Sequence, residues 1–359
     1  VRRPIAALLL LAGITHQVYA QSTVTLFGSI DNGITYVNNY GGHSVVKMQD
    51  GVNKANALGF LGSEDLGGGM RAFFKLENGF NANTGALGQG GLMFGKQAYV
   101  GLGHRTFGEI TLGRQYDFTV LLERYLPCLN CGLYGVQNAD FDRVSGERLN
   151  NAVQYSTPVV AGFKAGAMYA FGQNAGASST NLGRAISANV QYTYGPFSAA
   201  VVLTDINQAP TFAGLLGTPT VLGQRVAPTA LFVVDKQRIL GIGASYAFAS
   251  VTALALYTNT RLELAGRSST DQVLHIGGDW HVRPDLVLAA KLSFDRFEDS
   301  RWYTATAGLD YLLSKRTDVY IDLDAQKASS PGTVASIALT APSSTSRQFV
   351  SRIGVRHLF

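Results

Sequence analysis

Two cysteines and one charge-dense segment are the parts of this sequence most able to do chemistry. Cys128 and Cys131 are its only cysteines, spaced CxxC, a spacing shared by disulfides, redox pairs and halves of zinc sites. A redox pair needs a helix amino terminus in a βαβ setting to depress one thiol's pKa, and Pro127, Leu129 and Asn130 supply no such setting. A zinc site needs two further ligands, and no paired His or Cys motif stands nearby. In an oxidising compartment the pair is a candidate disulfide that stiffens a loop tip. For hydrolysis the chain lacks GxSxG and HExxH, and His43, His104, His275, His281 and His357 are scattered. No GxxxxGK[ST] loop offers nucleotide coupling. No catalytic residue, cofactor or metal ligand is therefore expected. Around the cysteines, segment 117–147 holds Asp117, Glu123, Asp140, Asp142 and Glu147 against Arg124 and Arg143, with Tyr125, Tyr134 and Phe141 to pack it. Laid against a wall, such a segment sets carboxylates opposite wall cations; on an outer surface its charges would only be solvated.

The rest of the chain decides what could position that segment. Of 359 residues, 46% are hydrophobic and only 15% charged, with 41 Gly, 19 Phe and 16 Tyr. Soluble domains carry roughly 25% charged residues; this composition excludes a disordered or collagen-like chain, while the length allows two or three ordinary domains or one large sheet closed on itself. The net charge of +5 is mild and contains no basic run of the kind that tracks nucleic acid, which is not an expected partner.

Residues 1–20 read as an export signal. Arg2 and Arg3 precede an apolar core over 5–14, and Val18-Tyr19-Ala20 forms a small-x-small site before Gln21. A membrane anchor would need roughly 20 apolar residues, more than this core holds. Beyond residue 20 no uncharged apolar stretch of helical-span length occurs. An exported chain without helical spans is either secreted or an outer-membrane barrel.

Period two runs through the chain. Val24, Leu26, Ile30, Ile34 and Tyr36 alternate with Thr25, Ser29, Asp31 and Thr35. Near the end Phe349, Ile353, Val355, His357 and Phe359 oppose Gln348, Arg352 and Arg356, and in between Met70, Ala72, Phe74 and Leu76 alternate with Arg71, Phe73, Lys75 and Glu77. Connections alternate too. Short links are expected at 64–68, 104–108, 157–162, 194–197, 249–250, 283–285 and 314–316, and longer ones at 38–51, 81–94, 117–147, 173–183, 206–236, 262–270 and 327–345, with a tight one at 298–300. Sixteen segments result, each of about 21 residues with its link, enough for strands of roughly 9 to 11 residues crossing a membrane at a tilt. Unpaired edges are not tolerated in lipid, so the sheet must close. At sixteen strands the lumen is too wide for side chains to fill, and an aqueous channel is expected. Tyr36, Phe80, Tyr169, Tyr192, Tyr246, Tyr257, Tyr303, Tyr311 and Tyr320 are expected in interfacial girdles.

Several stretches carry a resemblance across residues 21–359. These are Val24-Thr25-Leu26-Phe27-Gly28, the run over 58–69 (LGFLGSEDLGGG), Lys96-Gln97-Ala98-Tyr99-Val100-Gly101-Leu102, Leu112-Gly113-Arg114, Asn150-Asn151-Ala152-Val153-Gln154-Tyr155, Leu313-Ser314-Lys315-Arg316-Thr317 and Arg356-His357-Leu358-Phe359. In that order and spacing the chain resembles the general porins of Gram-negative bacteria, in particular the β-proteobacterial type. The resemblance implies an all-β fold, a sixteen-stranded antiparallel transmembrane barrel with its third long loop folded inward. It also implies a homotrimer in the outer membrane, in contact with lipid and lipopolysaccharide. Phe359 then resembles the family's signal to the outer-membrane barrel assembly machinery.

Through the resemblance, 117–147 becomes the inward loop, with Glu123, Asp140 and Asp142 as its acidic side. Lys96, Arg114 and Arg148 become the opposing basic wall. Two departures weaken an anion ladder: the family commonly has Arg where this chain has Ala57, and Arg where it has Lys96. Ala removes a charge, and Lys lacks the planar fork that pairs oxyanions. Lys54 could partly replace the lost cation. One unpaired charge at about 8 Å in water is worth roughly 0.5 kcal/mol. The expected function is passive diffusion of ions and small hydrophilic solutes with a weak preference for anions. An adhesive or receptor barrel acting through its long loops is the alternative, and a barrel hydrolase a more distant one.

Overall fold

The computed structural model describes residues 23–128, 131–172 and 182–359. The expected export signal, and nearly all of the expected link at 173–183, lie outside the described residues. The chain enters as β1 (Thr23–Tyr40), turns at Gly41 and Gly42, and returns as β2 (His43–Asp50) and β3 (Ala57–Gly67). Antiparallel hairpins continue through β4 (Met70–Gly79), β5 (Gln97–His104), β6 (Gly108–Tyr116), β7 (Arg148–Ser156), β8 (Phe163–Ala170), β9 (Ala185–Tyr194) and β10 (Phe197–Thr211). A small ribbon, β11 (Thr220–Val221) with β12 (Gln224–Arg225), stands apart from the main sheet. The series resumes with β13 (Phe232–Phe248), β14 (Val251–Leu264), β15 (Arg267–Arg283), β16 (Leu286–Phe297), β17 (Ser300–Leu312), β18 (Thr317–Ser329) and β19 (Arg347–Leu358).

β2 pairs with one half of β1, from Asn32↔Asp50 to Tyr40↔His43, and β3 with the other, from Thr23↔Ser63 to Ser29↔Ala57. The two share one place in the sheet, which closes as a sixteen-strand antiparallel barrel. The seam is β1 against β19, in register from Ser29↔Leu358 to Val37↔Val350. Phe359 extends it, its amide donating to the Gly28 carbonyl at 3.1 Å while the Gly28 amide donates back at 3.0 Å. Closure matters because lipid offers no partner to a free backbone group. Among the described residues no helix is long and apolar enough to cross a membrane.

The alternation resolves into an apolar exterior and a polar interior. Val24, Leu26, Ile34, Leu292, Phe349 and Ile353 are exposed, whereas Asp31, Thr35, Lys291, Gln348 and Arg352 are buried. In the girdles, Tyr36, Tyr169, Tyr246, Tyr303 and Tyr311 are exposed as expected. Tyr320 is not a girdle residue: it shares the buried face of β18 with Asp318, Asp322 and Asp324 and bonds to Asp31 and Arg352.

Six of the seven short turns fall where the sequence places them; the expected link at 64–68 is strand as far as Gly67, and its turn lies at Gly68 and Gly69. Two long links do not exist as such. The stretch 38–51 is mostly strand, since β1 and β2 continue to a two-residue turn, and 262–270 shrinks to a turn at Ala265 and Gly266. The physical reason is shared. Polar residues are mixed into these hairpin ends, with Asn38, Asn39, His43 and Lys47 in one and Arg261, Glu263 and Arg267 in the other, so the sequence reads as loop although the ladder continues to Tyr40↔His43 and Leu264↔Arg267.

Candidate functional site

The site is built from a gap in the wall. Between β2 and β3 the chain leaves the ladder at 51–56, starting at Gly51, whose φ of +70° suits glycine. Asp31 on β1 organises the gap. Its Oδ2 accepts from the amides of Asn53 at 2.7 Å and Lys54 at 3.3 Å, while Asn56 Oδ1 accepts from the Asp31 amide at 2.8 Å. Lys54 is thus held at the rim beside Ala57.

From this gap a basic arc runs along β4 to β7. Glu77 on β4 accepts from Lys75 at 2.8 Å, Lys96 at 3.0 Å and Gln97 at 3.0 Å. Lys96 is nearly fully buried. Arg148 opens β7, where it donates to the Tyr116 hydroxyl at 3.0 Å and stacks over that ring at 4.8 Å. Arg114 on β6 donates through Nε to the Gly95 carbonyl at 2.8 Å and also bonds Asn150.

Segment 117–147 meets the polar face of the strands on the other side. Asp117 caps a 3-10 helix, Phe118–Tyr125, by accepting from the Thr119 amide, and pairs with Arg143 at 2.8 Å, both buried. The helix seats on small residues. A β-carbon at Gly241 would lie 2.2 Å from Leu122, and one at Gly243 2.5 Å from Tyr125, so only glycine admits these side chains against β13. The Tyr125 hydroxyl meets Ser198 Oγ at 2.9 Å. Beyond the helix, Cys128 and Cys131 form a disulfide, and Cys131 packs on Gly308 of β17. The Tyr134 hydroxyl meets Thr35 Oγ1 at 2.7 Å, and Gln137 Nε2 donates to Asp271 at 2.9 Å and Asp295 at 3.0 Å. These contacts run from β10 round to β1. They leave the arc from β3 to β7 facing the helix across open space.

That space encloses about 430 Å³ and adjoins a second cavity of about 350 Å³ through Gln97, Tyr116 and Val120, which line both. Lys54, Lys75, Lys96 and Arg148 line the first cavity, with Glu77 and Glu123 as its carboxylates, a surplus of two positive charges. Burial pushes the Glu123 carboxyl up, while Lys54 and then Lys96 pull it down from across the gap. Of the residues singled out in the sequence, Lys96, Arg148 and Glu123 therefore share one cavity, and Arg114 stands beside it on β6. Asp140 and Asp142 sit elsewhere. Asp142 is buried against β14, accepting from Thr258 Oγ1 at 2.8 Å, and Asp140 accepts from Ser145 Oγ at 2.6 Å.

Lys75, Glu77 and Asp31 escaped the sequence reading as site residues, although alternation with Phe74 and Ile30 already put them on the wet face. Nothing in the sequence marked the break that brings Lys54 inward. Among the described residues no cluster suited to a metal ion occurs.

A family model described as Gram-negative porin matches residues 5–330. An outer membrane porin protein of Bordetella pertussis is 30% identical over 287 residues, covering 72% of this chain and 69% of that one. Outer membrane porin protein 32 of Delftia acidovorans is 29% identical over 365 residues, covering 95% of each. Among solved structures, an anion-selective porin from Comamonas acidovorans superposes with a TM-score of 0.78 at 26% identity, covering 94% of this chain and all of that one.

Proposed function

The chain belongs to the Gram-negative porin family and is a barrel of the outer membrane, and from that premise we propose that it is a general diffusion channel with a weak preference for anions. Segment 117–147 is its constriction, folded into the lumen, and the cavity between Glu123 and the basic arc is the narrow part of the path. The observation that carries this reading is the surplus of cations lining that cavity, Lys54, Lys75, Lys96 and Arg148 against Glu77 and Glu123. At roughly 0.5 kcal/mol per unpaired charge in water, a surplus of two favours anions about fivefold before salt screens it. The anion selectivity named for the Comamonas acidovorans relative points the same way.

Transport is passive, a reading that the porin family model and the porin relatives support. A homotrimer fits the family. Residues 1–20 serve export, and Phe359, seated at the seam beside Gly28, serves recognition by the barrel assembly machinery. Liposomes containing the folded protein test the channel: sugars should enter at rates that fall with size. Liposomes that exclude every sugar despite folded protein would overturn the proposal.

A further inference from the structure

The cavity of about 350 Å³ that adjoins the cationic one has features that free diffusion does not require. It lies between the 3-10 helix, which contributes Phe118, Val120 and Leu121, and the wall of β4 to β9. Phe73 is the one ring on the polar face of β4, set between Arg71 and Lys75. It reaches across to β5, where a β-carbon at Gly101 would lie 2.4 Å from the ring, and Tyr99 stands edge-on to it with 6.5 Å between centroids. Apolar surface left facing water is unfavourable, so these groups favour a solute that covers them. Polar groups surround the rings. The Tyr99 hydroxyl, the Gln154 amide and the Lys164 ammonium line the same cavity and make no side-chain hydrogen bond or ion pair among the described residues. Gln191 donates from its amide nitrogen to Asn189 at 3.0 Å, and its carbonyl oxygen carries no bond.

Apolar groups edged by free donors and acceptors match a ring that is apolar on its faces and hydroxylated at its rim. The volume falls within the roughly 300 to 1,000 Å³ of small-molecule sites. Through Gln97, Tyr116 and Val120 this cavity opens on the one that holds Lys96 and Arg148. We propose that the two cavities together bind a sugar phosphate: the phosphate rests on Lys96 and Arg148, and the pyranose lies against Phe73 with its hydroxyls on Tyr99, Gln154 and Lys164. The proposal rests on the channel reading above and adds to it a saturable site for one class of solute. A neutral sugar leaves the cations unmet, and a ring without hydroxyls leaves Tyr99 and Gln154 unbonded. A ligand that joins both parts in one molecule therefore binds better than either part alone.

The test is KCl current through the full-length protein in planar bilayers, with D-glucose 6-phosphate, D-glucose, inorganic phosphate or phenyl phosphate added on both sides. Glucose 6-phosphate should interrupt the wild-type current saturably, at concentrations about tenfold below those at which inorganic phosphate or glucose does so. Phenyl phosphate should be several-fold weaker than glucose 6-phosphate. Phe73→Ala and the volume-conserving Gln154→Leu should each bring glucose 6-phosphate close to the level of inorganic phosphate. Equal sensitivity of the wild type and Gln154→Leu to glucose 6-phosphate would overturn the assignment, and so would phenyl phosphate that matches glucose 6-phosphate. A KCl current that glucose 6-phosphate leaves intact would overturn the site alone, whereas folded protein that carries no KCl current would overturn the channel reading and the site with it.

Discussion

Arg352 on β19 and Asp31 on β1 face each other across the closing seam, Nη2 to Oδ1 at 3.5 Å, with both side chains wholly buried. Tyr320 bonds to both, and Arg352 also donates to Thr35 Oγ1 at 3.1 Å and the Gln49 carbonyl at 2.9 Å. The other oxygen of Asp31 holds the amides of Asn53 and Lys54. One carboxylate therefore serves both barrel closure and the rim of the cavity. Asp31→Ala leaves Arg352 buried and unpaired and frees both amides, at a cost of about 3 kcal/mol or more. Urea unfolding in lipid should show that loss, and hydrogen exchange should rise over 51–56. Unchanged exchange there would contradict the anchoring role.

The helix Phe118–Tyr125 rests on Gly241 and Gly243, where added carbons meet Leu122 and Tyr125. Gly241→Leu should push the helix off β13 toward Lys96 and Arg148 while leaving the barrel closed. A lower single-channel conductance with normal heat-modifiable migration is expected. Conductance equal to that of the wild type would show that the helix does not border the path.

Asp140 is pushed up to about 8, first by burial and then by the Asp142 charge and Glu147, against the bonds from Ser145. Burial raises Asp142 too, against its bond from Thr258. The folded segment thus keeps protons that the unfolded one releases above about pH 4, so its stability is fullest below that value and falls as pH rises toward about 8. Protection of 137–147 from protease should fall between pH 5 and pH 9 in the wild type and stay level in D140N/D142N. Protection that climbs with pH would reverse the sign.

Glu123 is the carboxylate facing Lys54 and Lys96. Glu123→Gln removes one negative charge from the cavity, worth roughly 0.5 kcal/mol. Anion preference should grow about twofold. A shift toward cations would place Glu123 outside the conducting path.

Much of this barrel was legible because period two and short turns are local signals. Strand ends beyond the apolar belt were not, since Arg261 and Glu263 put charges on the face that is apolar lower down β14 yet still pair with β13 and β15. Tyr320 was misplaced because a tyrosine near a strand end suits a girdle, although its parity with Asp318 and Asp322 assigns it inward. In the site, Lys96, Arg148 and Glu123 were brought to attention by motif and by position in the long segment. Lys75 and Glu77 were visible as wet-face residues but could not be paired, because the ion pair to Lys96 joins a strand to the end of a loop. The inward turn at 51–56 depends on Asp31 reaching across from another strand, a contact no local pattern encodes.

The measurement that bears most directly on the selectivity of the constriction is the reversal potential of the wild-type protein in a planar bilayer under a tenfold KCl gradient. The cation surplus around Glu123 predicts a modest potential of anion sign. A potential of cation sign from folded, conducting protein would contradict it and assign the constriction to its carboxylates instead.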